Sequence, residues 1–290
     1  VPPGNSRSDM SIAADYDDQV LNRFKAALRS HPLLARSRLD ITLSTEWGKA
    51  AELTGSRVLR HVLLQNQNPL AIFQATLTKR FGFWDIIAGS TIGAGYAAVP
   101  GLPQHEADLF ITKVLREHHY SRCQVFLPRE VSVAGFHCRR QYTFLLDLRE
   151  SNDVLWDSIE KRTRNSASKA IRSGVVVKIL DSTDSFAEAY DVICHAAKKK
   201  VFLMPAMTYN RNLHDCFRTN GNSVVALAYA EGRCVSAAHF LGCDNRLHWW
   251  KGGSNDLGYK LSAGTLIQWE IIKWAKENGY LIYDMGGTNP

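Results

Sequence analysis

The sequence predicts an α/β protein with two tandem units, each a mixed sheet flanked by helices. Two observations carry that expectation. An order of three strands, a glycine-rich open loop, a helix and a further strand occurs twice in 290 residues. The loops also share letters: Gly89-Ser90 and Gly95-Tyr96 in the first recur as Gly253-Ser254 and Gly258-Tyr259 in the second, one residue closer together. A shared order with shared letters points to an internal duplication, and two units of about 145 residues each fit ordinary domain sizes.

Each element follows from its local pattern. The opening VPPGNSRSDMSIAADYDD reads as a lead-in outside the fold. Residues 16–35 place Val20, Leu21, Phe24, Ala27 and Leu28 at helical spacing, with Pro32 as a stop. Ser44-Thr45 caps a short helix, EWGKAAEL. Strand-like runs follow at 57–65, 69–80 and 83–88, then the loop GSTIGAGYAAVPGLP, a helix at 105–119 and a strand at 123–128. QYTFLLDL (141–148) alternates as a strand, and Asn152 or Asp153 caps the next helix. The second meander runs 223–230, 234–242 and 246–252, turning at Glu231-Gly232 and Asp244-Asn245. The loop GSNDLGYKLSAG leads to a helix over 263–278 with Gly279 at its C′ position, and YLIYDM closes the set. The expected organisation is a tail and helix over 1–40, a first domain over 41–148 and a second over 149–290.

Composition removes several function classes. No apolar run reaches the ~18 residues of a membrane span, and the start lacks a basic segment followed by an apolar one, so no signal peptide is expected. The six cysteines form no CxxC pair and no HExxH occurs, so neither a disulfide framework nor a metal site is expected. A net charge of +7 and a pI near 9.1 leave an anionic partner open: nucleic acid, a nucleotide diphosphate or a membrane surface.

Three stretches carry chemistry. First, a meander followed by strand, loop, helix and strand brings the last two strands together by a right-handed crossover. The helix start then offers the N–H groups of Ala263, Gly264 and Thr265 to an anion, with Lys260 beside them. This is where acyltransferases of the GNAT superfamily hold an acyl-CoA pyrophosphate. Their loop has the form R/Q-x-x-G-x-G/A, from which Gly258–Gly264 departs. Trp249 and Trp250 alternate along the preceding strand, so one faces the core and one the opposite face, and either could line a cleft. Second, Lys161, Arg162, Arg164, Lys169 and Arg172 face only Glu160 between residues 160 and 173, which reads as a solvated basic face or as a phosphate surface. Lys198–Lys200 end another helix, where cations also suit the dipole. Third, Asp284 ends a strand before Gly286-Gly287, as a general base or as a partner of nearby backbone N–H groups.

Residues 155–179 and 247–287 resemble the FemABX-type proteins. Residues 155–179 are similar to the helix pair opening that family's other, C-terminal domain. Residues 247–287 are similar to its closing signature, with Gly-Ser ending a strand, Trp269-Glu270 in a helix and Tyr283-Asp284-x-Gly286-Gly287 in the next strand. The resemblance implies two tandem GNAT-like domains and transfer of an aminoacyl group from aminoacyl-tRNA to an amine of a peptidoglycan-type precursor. Two other functions stay open: acyl-CoA-dependent N-acetylation of an amino sugar, and a non-catalytic module that binds RNA or a glycan. The residues expected to act are Asp284 and Ser254 at the reacting carbonyl and amine. Lys260, Ser262, Gly264, Thr265 and Trp250 would hold the donor. Arg164, Lys169 and Lys200, with Lys199 beside it, would hold acceptor phosphates. No permanent cofactor is expected, only aminoacyl-tRNA or acyl-CoA as co-substrate. The expected partners are an anionic cell-envelope precursor and tRNA, with peripheral membrane association and a cytoplasmic location. The family's closing strand with a Phe-Lys pair and the long coiled-coil arm of many members have no counterpart here.

Overall fold

The computed structural model of the chain describes residues 10–29, 40–80, 82–128, 135–200 and 206–288. It divides into two compact units at Arg140/Gln141.

The first unit contains β1 (Met10–Ala14), α1 (Asp18–Arg29), α2 (Thr45–Glu52), β2 (Arg57–Gln65), β3 (Asn68–Arg80), β4 (Phe83–Ser90), β5 (Gly93–Ala94), β6 (Tyr96–Ala98), α3 (Gln104–Arg116) and β7 (Arg122–Val125). The opening residues are not all lead-in, because β1 pairs antiparallel with β2 along five residue pairs. Pro32, expected to stop the first helix, lies outside the described residues; α1 is described to Arg29. Ser44 caps α2 as expected, its Oγ accepting from the N–H of Trp47 at 3.2 Å. β2, β3 and β4 form the meander, and β7 returns parallel to β4. Helix α3 buries Ala107, Phe110, Ile111, Val114 and Leu115, an i, i+3, i+4, i+7, i+8 stripe. They pack in one cluster with Phe73, Ala75, Leu77, Ile86 and Ala88. A second cluster joins Leu21, Phe24 and Leu28 of α1 to Val62 and Ile72.

The second unit contains β8 (Tyr142–Asp147), α4 (Asn152–Ser158), α5 (Lys161–Arg172), β9 (Val176–Leu180), α6 (Thr183–Lys200), α7 (Met207–Arg218), β10 (Ser223–Ala230), β11 (Arg233–Cys243), β12 (Arg246–Ser254), α8 (Asp256–Leu261), α9 (Ala263–Glu277) and β13 (Ile282–Thr288). Ser151, not Asn152 or Asp153, caps α4 through a bond from the Val154 N–H. The sheet order is β8-β13-β12-β11-β10-β9, with β12 and β13 parallel and every other pair antiparallel. Glu231, Gly232 and Asp244 take positive φ at the expected turns. Leu266, Ile267, Ile271, Ile272 and Ala275 of α9 cover one sheet face in a cluster with Ala226, Ala228, Phe240, Leu247 and Tyr283. Phe186, Ala189 and Ile193 of α6 cover the other, on Val225, Leu227 and Ala237. Gly279 sits at C′ of α9 with φ +82°, and Tyr280 N–H returns to the Ala275 carbonyl.

The two halves thus share an antiparallel meander whose last strand gains a parallel partner after a helix. The matched letters serve the two loops differently. Gly89-Ser90 and Gly253-Ser254 both end the strand before the crossover. Gly95-Tyr96 leads into β6, whereas Gly258-Tyr259 lies inside α8. The loops expected to be open therefore carry structure: two short strands in the first unit and a helix in the second.

Candidate active site in the second unit

The site begins where two strands part. β12 and β13 pair only at Arg246↔Ile282, Leu247↔Tyr283 and His248↔Asp284. Beyond His248, β12 continues to Ser254 with β11 as its only strand partner among the described residues. β13 shifts register between Asp284 and Gly287 and goes on with β8. The backbone groups of residues 249–254 that would face β13 have no ladder there, so the fork presents hydrogen-bonding main chain to whatever enters it.

Asp284 holds the base of the fork. It is 2% exposed. Its Oδ1 accepts from the Thr143 hydroxyl of β8 and from the Gly286 N–H at 2.9 Å. Its Oδ2 lies 3.5 Å from His248 Nδ1 and 3.8 Å from Arg246 Nη1. Burial alone would raise its pKa; His248, Thr143 and the Gly286 N–H outweigh burial and hold it below the ordinary carboxylate value. A carboxylate so engaged is a weak proton acceptor, and its geometry is that of a pin joining β8, β12 and β13. Of the two readings drawn from sequence, the backbone partner is present.

Most of the residues expected to hold the donor lie at the α8–α9 turn. Ser262 joins the helices with φ +60° and ψ +31°, and α9 starts without a side-chain cap. Ala263 is fully buried, and a Cβ on Gly264 would come 3.3 Å from Ser254 Oγ and 3.5 Å from Ser236 Oγ. Ser254 therefore lies against the first turn of α9. Ser236 donates to the Gly253 carbonyl at 3.1 Å, so Ser254 is the donor in their 2.8 Å hydroxyl pair. A second hydroxyl is no base, and Ser254 is a hydrogen-bonding group rather than an activated nucleophile. Lys260 is exposed at the end of α8, and Lys169 Nζ donates to its carbonyl at 2.7 Å. Thr265 N–H bonds the Ser262 carbonyl at 3.1 Å.

Lys260, Ser262, Gly264, Thr265 and Ser254 are thus brought together. The other expected residues are not. Ser254 lies six residues beyond the His248 position that Asp284 faces, roughly 20 Å along the strand. The two cannot flank one reacting bond. Lys169 stands beside Lys260, among the residues expected to hold the donor rather than apart from them. Arg164 Nη1 donates to the Asp157 carbonyl at 2.6 Å and the Ile159 carbonyl at 3.0 Å, tying down the end of α4. Lys199 pairs with Asp256. The side chain of Lys200 lies outside the described residues. Trp249 packs with the α9 cluster, while Trp250 turns to the other face, where its indole N–H donates to Asn210 Oδ1 of α7 at 2.8 Å. Trp250 therefore lies on the sheet face opposite to α9. Sequence reasoning missed His248 and Arg246, which face Asp284, and Lys251. The signal for Lys251 was present: a lysine inside the apolar run LHWWKGG.

In the first unit the corresponding gap is filled by its own loop. Gly89 and Ser90 of β4 pair with β5, and the Gly95 N–H bonds the Phe126 carbonyl at 2.9 Å. The Gly95 carbonyl accepts from Gln74 N–H at 2.9 Å. A Cβ on Gly95 would lie 2.3 Å from the Ala88 carbonyl carbon, so only glycine fits this insertion.

Comparisons with known proteins can be set beside this geometry. A family model described as an acetyltransferase (GNAT) domain matches residues 158–290. A UDP-N-acetylmuramoylpentapeptide-lysine N(6)-alanyltransferase of Weissella viridescens is 25% identical over 177 residues, 60% of this chain and 51% of that protein. The match thus spans about half the length of the curated relative. Among solved structures, FemX aligns with a TM-score of 0.69 at 14% identity, covering 97% of this chain and 89% of that one. A tandem GNAT protein from the clavulanic acid biosynthesis pathway aligns with a TM-score of 0.56 at 11% identity, covering 97% and 90%. At these identities the two structures speak for the fold.

Proposed function

We propose that the chain, whose residues 158–290 match a GNAT acetyltransferase domain and which is similar to a Fem-type alanyltransferase, is an N-acyltransferase moving an aminoacyl group onto an amine of a peptidoglycan-type precursor. The observation that carries the reading is the fork between β12 and β13, with the uncapped start of α9 at its donor end. The acyl carbonyl enters the fork, and the unladdered N–H groups of β12 offer hydrogen bonds to the oxyanion that forms when the amine attacks. The carbon–nitrogen bond forms as the ester carbon–oxygen bond breaks, and the departing oxygen takes up the amine's proton. Catalysis on this scheme is chiefly positioning.

Donor phosphate sits at the α9 N-terminus, where helix N–H groups and the dipole favour an anion. Lys260 and Lys169 supply charge, and Ser262, Gly264 and Thr265 form the turn. Lys169 also offsets the carbonyl end of α8 that abuts this turn. Ser254 steadies the first turn of α9, and Asp284 sets the parting of the strands. The donor is an aminoacyl-tRNA, in keeping with the alanyl transfer named for the Weissella relative. The precursor, the tRNA and a membrane surface are the anionic partners that suit a net charge of +7. No described helix is long and apolar enough to cross a membrane, and a cytoplasmic location suits these partners.

The test incubates the full chain with tRNA-linked labelled alanine and a UDP-linked muramoyl pentapeptide. A parallel arm offers labelled acetyl-CoA with the same precursor and with glucosamine. Label on the precursor from tRNA is the expected result. Label from acetyl-CoA alone would make the chain a CoA-dependent enzyme, and no label from either donor would overturn transferase activity.

A further inference from the structure

Lys251 is a half-buried cation without a counterion among the described residues. Its ammonium lies 4.6 Å from the centre of the Trp250 ring. The described carboxylates near this face, such as Glu188 and Asp256, pair with Tyr229 and Lys199 instead. Asp284, on the neighbouring strand, is already engaged by Arg246, His248 and Thr143. Burial lowers the Lys251 pKa, and no neighbouring acid counters it. A desolvated charge with no partner is unfavourable unless the partner arrives with a ligand.

Its place in the fold says which ligand. The β11–β12 register shifts between His239 and Phe240, which face Lys251 and Trp249, so Trp250 is the extra residue of a bulge. Trp250 reaches Asn210 of α7, and a Cβ on Gly253 would meet Ala196 of α6 at 2.5 Å. Lys251 covers Trp250 and so belongs to the α6/α7 face. Trp249 packs toward α9, on the opposite face. Both tryptophans and Lys251 lie past His248, in the stretch of β12 that β13 has left.

We propose that Lys251, seated over Trp250 on the α6/α7 side of the fork, binds an oxyanion of the acceptor, while the donor's phosphates occupy the α9 end on the other face. The acceptor's identity rests on the function proposed above; the anion site rests on the geometry alone. A UDP-linked muramoyl pentapeptide carries two kinds of such group, its diphosphate and its peptide carboxylates. Trp250 supplies a flat apolar floor and disperses the charge in the free protein, and the incoming oxyanion replaces that weak contact with a charge-assisted hydrogen bond.

Calorimetry on the full chain tests this, with wild type, Lys251→Met and Lys251→Arg. Methionine keeps an unbranched stem over Trp250, and thermal melts confirm that both variants fold. Lys251→Met is expected to weaken binding of the UDP-linked pentapeptide by about tenfold or more, the loss of one charge-assisted bond, with Lys251→Arg restoring part. UDP and free pentapeptide are titrated separately, and the one that loses affinity in Lys251→Met identifies phosphate or carboxylate. In turnover, the acceptor KM should rise with kcat nearly unchanged. Unchanged acceptor affinity in Lys251→Met overturns the proposal, as does a fall in kcat alone, which would make Lys251 a proton acceptor. If wild type binds no precursor, the proposed function fails, and inorganic pyrophosphate and acetate then decide the anion site. Weaker binding of either in Lys251→Met supports it, and equal binding of both overturns it.

Discussion

Asp284 faces His248 across the last residue pair of the parallel β12–β13 ladder, and beyond that pair the strands part. The carboxylate is buried and touches groups from three strands. Asp284→Ala should lower the unfolding free energy by about 3–5 kcal/mol, because it removes a buried carboxylate that Thr143, the Gly286 N–H and Arg246 share. Asp284→Asn should cost less, since an amide oxygen can still accept from Thr143 and Gly286. The folded carboxyl titrates below its ordinary value of 3.8, so the unfolded chain binds this proton more readily. The contribution is complete above about pH 4 and is lost as pH falls through the folded pKa. Denaturant melts of the two variants between pH 3 and pH 8 check this. Full stability with lost transfer would instead identify Asp284 as the base.

Ser262 holds a left-handed conformation between α8 and α9, where glycine is the usual occupant. Relief of Cβ strain should make Ser262→Gly more stable by about 0.5–1 kcal/mol after the added chain entropy is subtracted. If its hydroxyl also contacts donor phosphate, the same variant binds donor less tightly. A higher melting temperature with a higher donor KM is the expected pair of results. A lower melting temperature would mean that the serine side chain stabilises the turn.

The fold was legible where periodicity is strong. The helix at 263–278 with its Gly279 cap and the meander with turns at Glu231-Gly232 and Asp244-Asn245 all appear. The two-residue strand β5 and three-residue β6 were not legible, because Gly93–Ala98 is paired by tertiary context and has too few residues for a pattern. Strand β1 was hidden for a similar reason: it is an edge strand without clear alternation. At the candidate site, the grouping of Lys260, Ser262, Gly264 and Thr265 was readable because they are adjacent in sequence. Lys169 was recognised as a cation but expected apart from Lys260, whereas packing of α5 on α8 and α9 brings the two together. Trp250 was expected at the donor, but alternation alone could only set Trp249 and Trp250 on opposite faces, and packing against α7 decides which face Trp250 takes.

His214, Ser223 and His239 form a buried chain: His214 Nδ1 to Ser223 Oγ and Ser223 Oγ to His239 Nε2, both 2.9 Å. Phe186 covers both rings, stacked on His214 at 5.0 Å and edge-on to His239 at 5.3 Å. Burial lowers both pKa values, that of His239 also through repulsion from His214. The unfolded chain, with ordinary histidines near 6.5, therefore binds more protons below that pH. The chain's contribution to stability is present above about pH 6.5 and declines as pH falls below it. His239→Gln keeps a hydrogen-bonding group and removes one titration, so its stability should fall less steeply between pH 6.5 and pH 5. An identical slope would place the acid sensitivity elsewhere.

Arg164 separates the two readings of the basic helix α5. Were it a phosphate ligand, its loss would raise the acceptor KM and leave the fold alone. Its guanidinium instead bonds the carbonyls of Asp157 and Ile159, which α4 leaves without helical partners. Arg164→Ala should therefore cost about 1–2 kcal/mol of stability, with acceptor binding preserved. Arg164→Lys should recover only part, because a single ammonium cannot reproduce the planar fork of donors. Lys161, Arg162 and Arg172 of the same helix are exposed and make no ion pair among the described residues. Their replacement by glutamine should leave the melting temperature near wild type. Chemical denaturation alongside acceptor titration checks both halves, and an acceptor affinity lost in Arg164→Ala without loss of stability would return Arg164 to the phosphate-binding role.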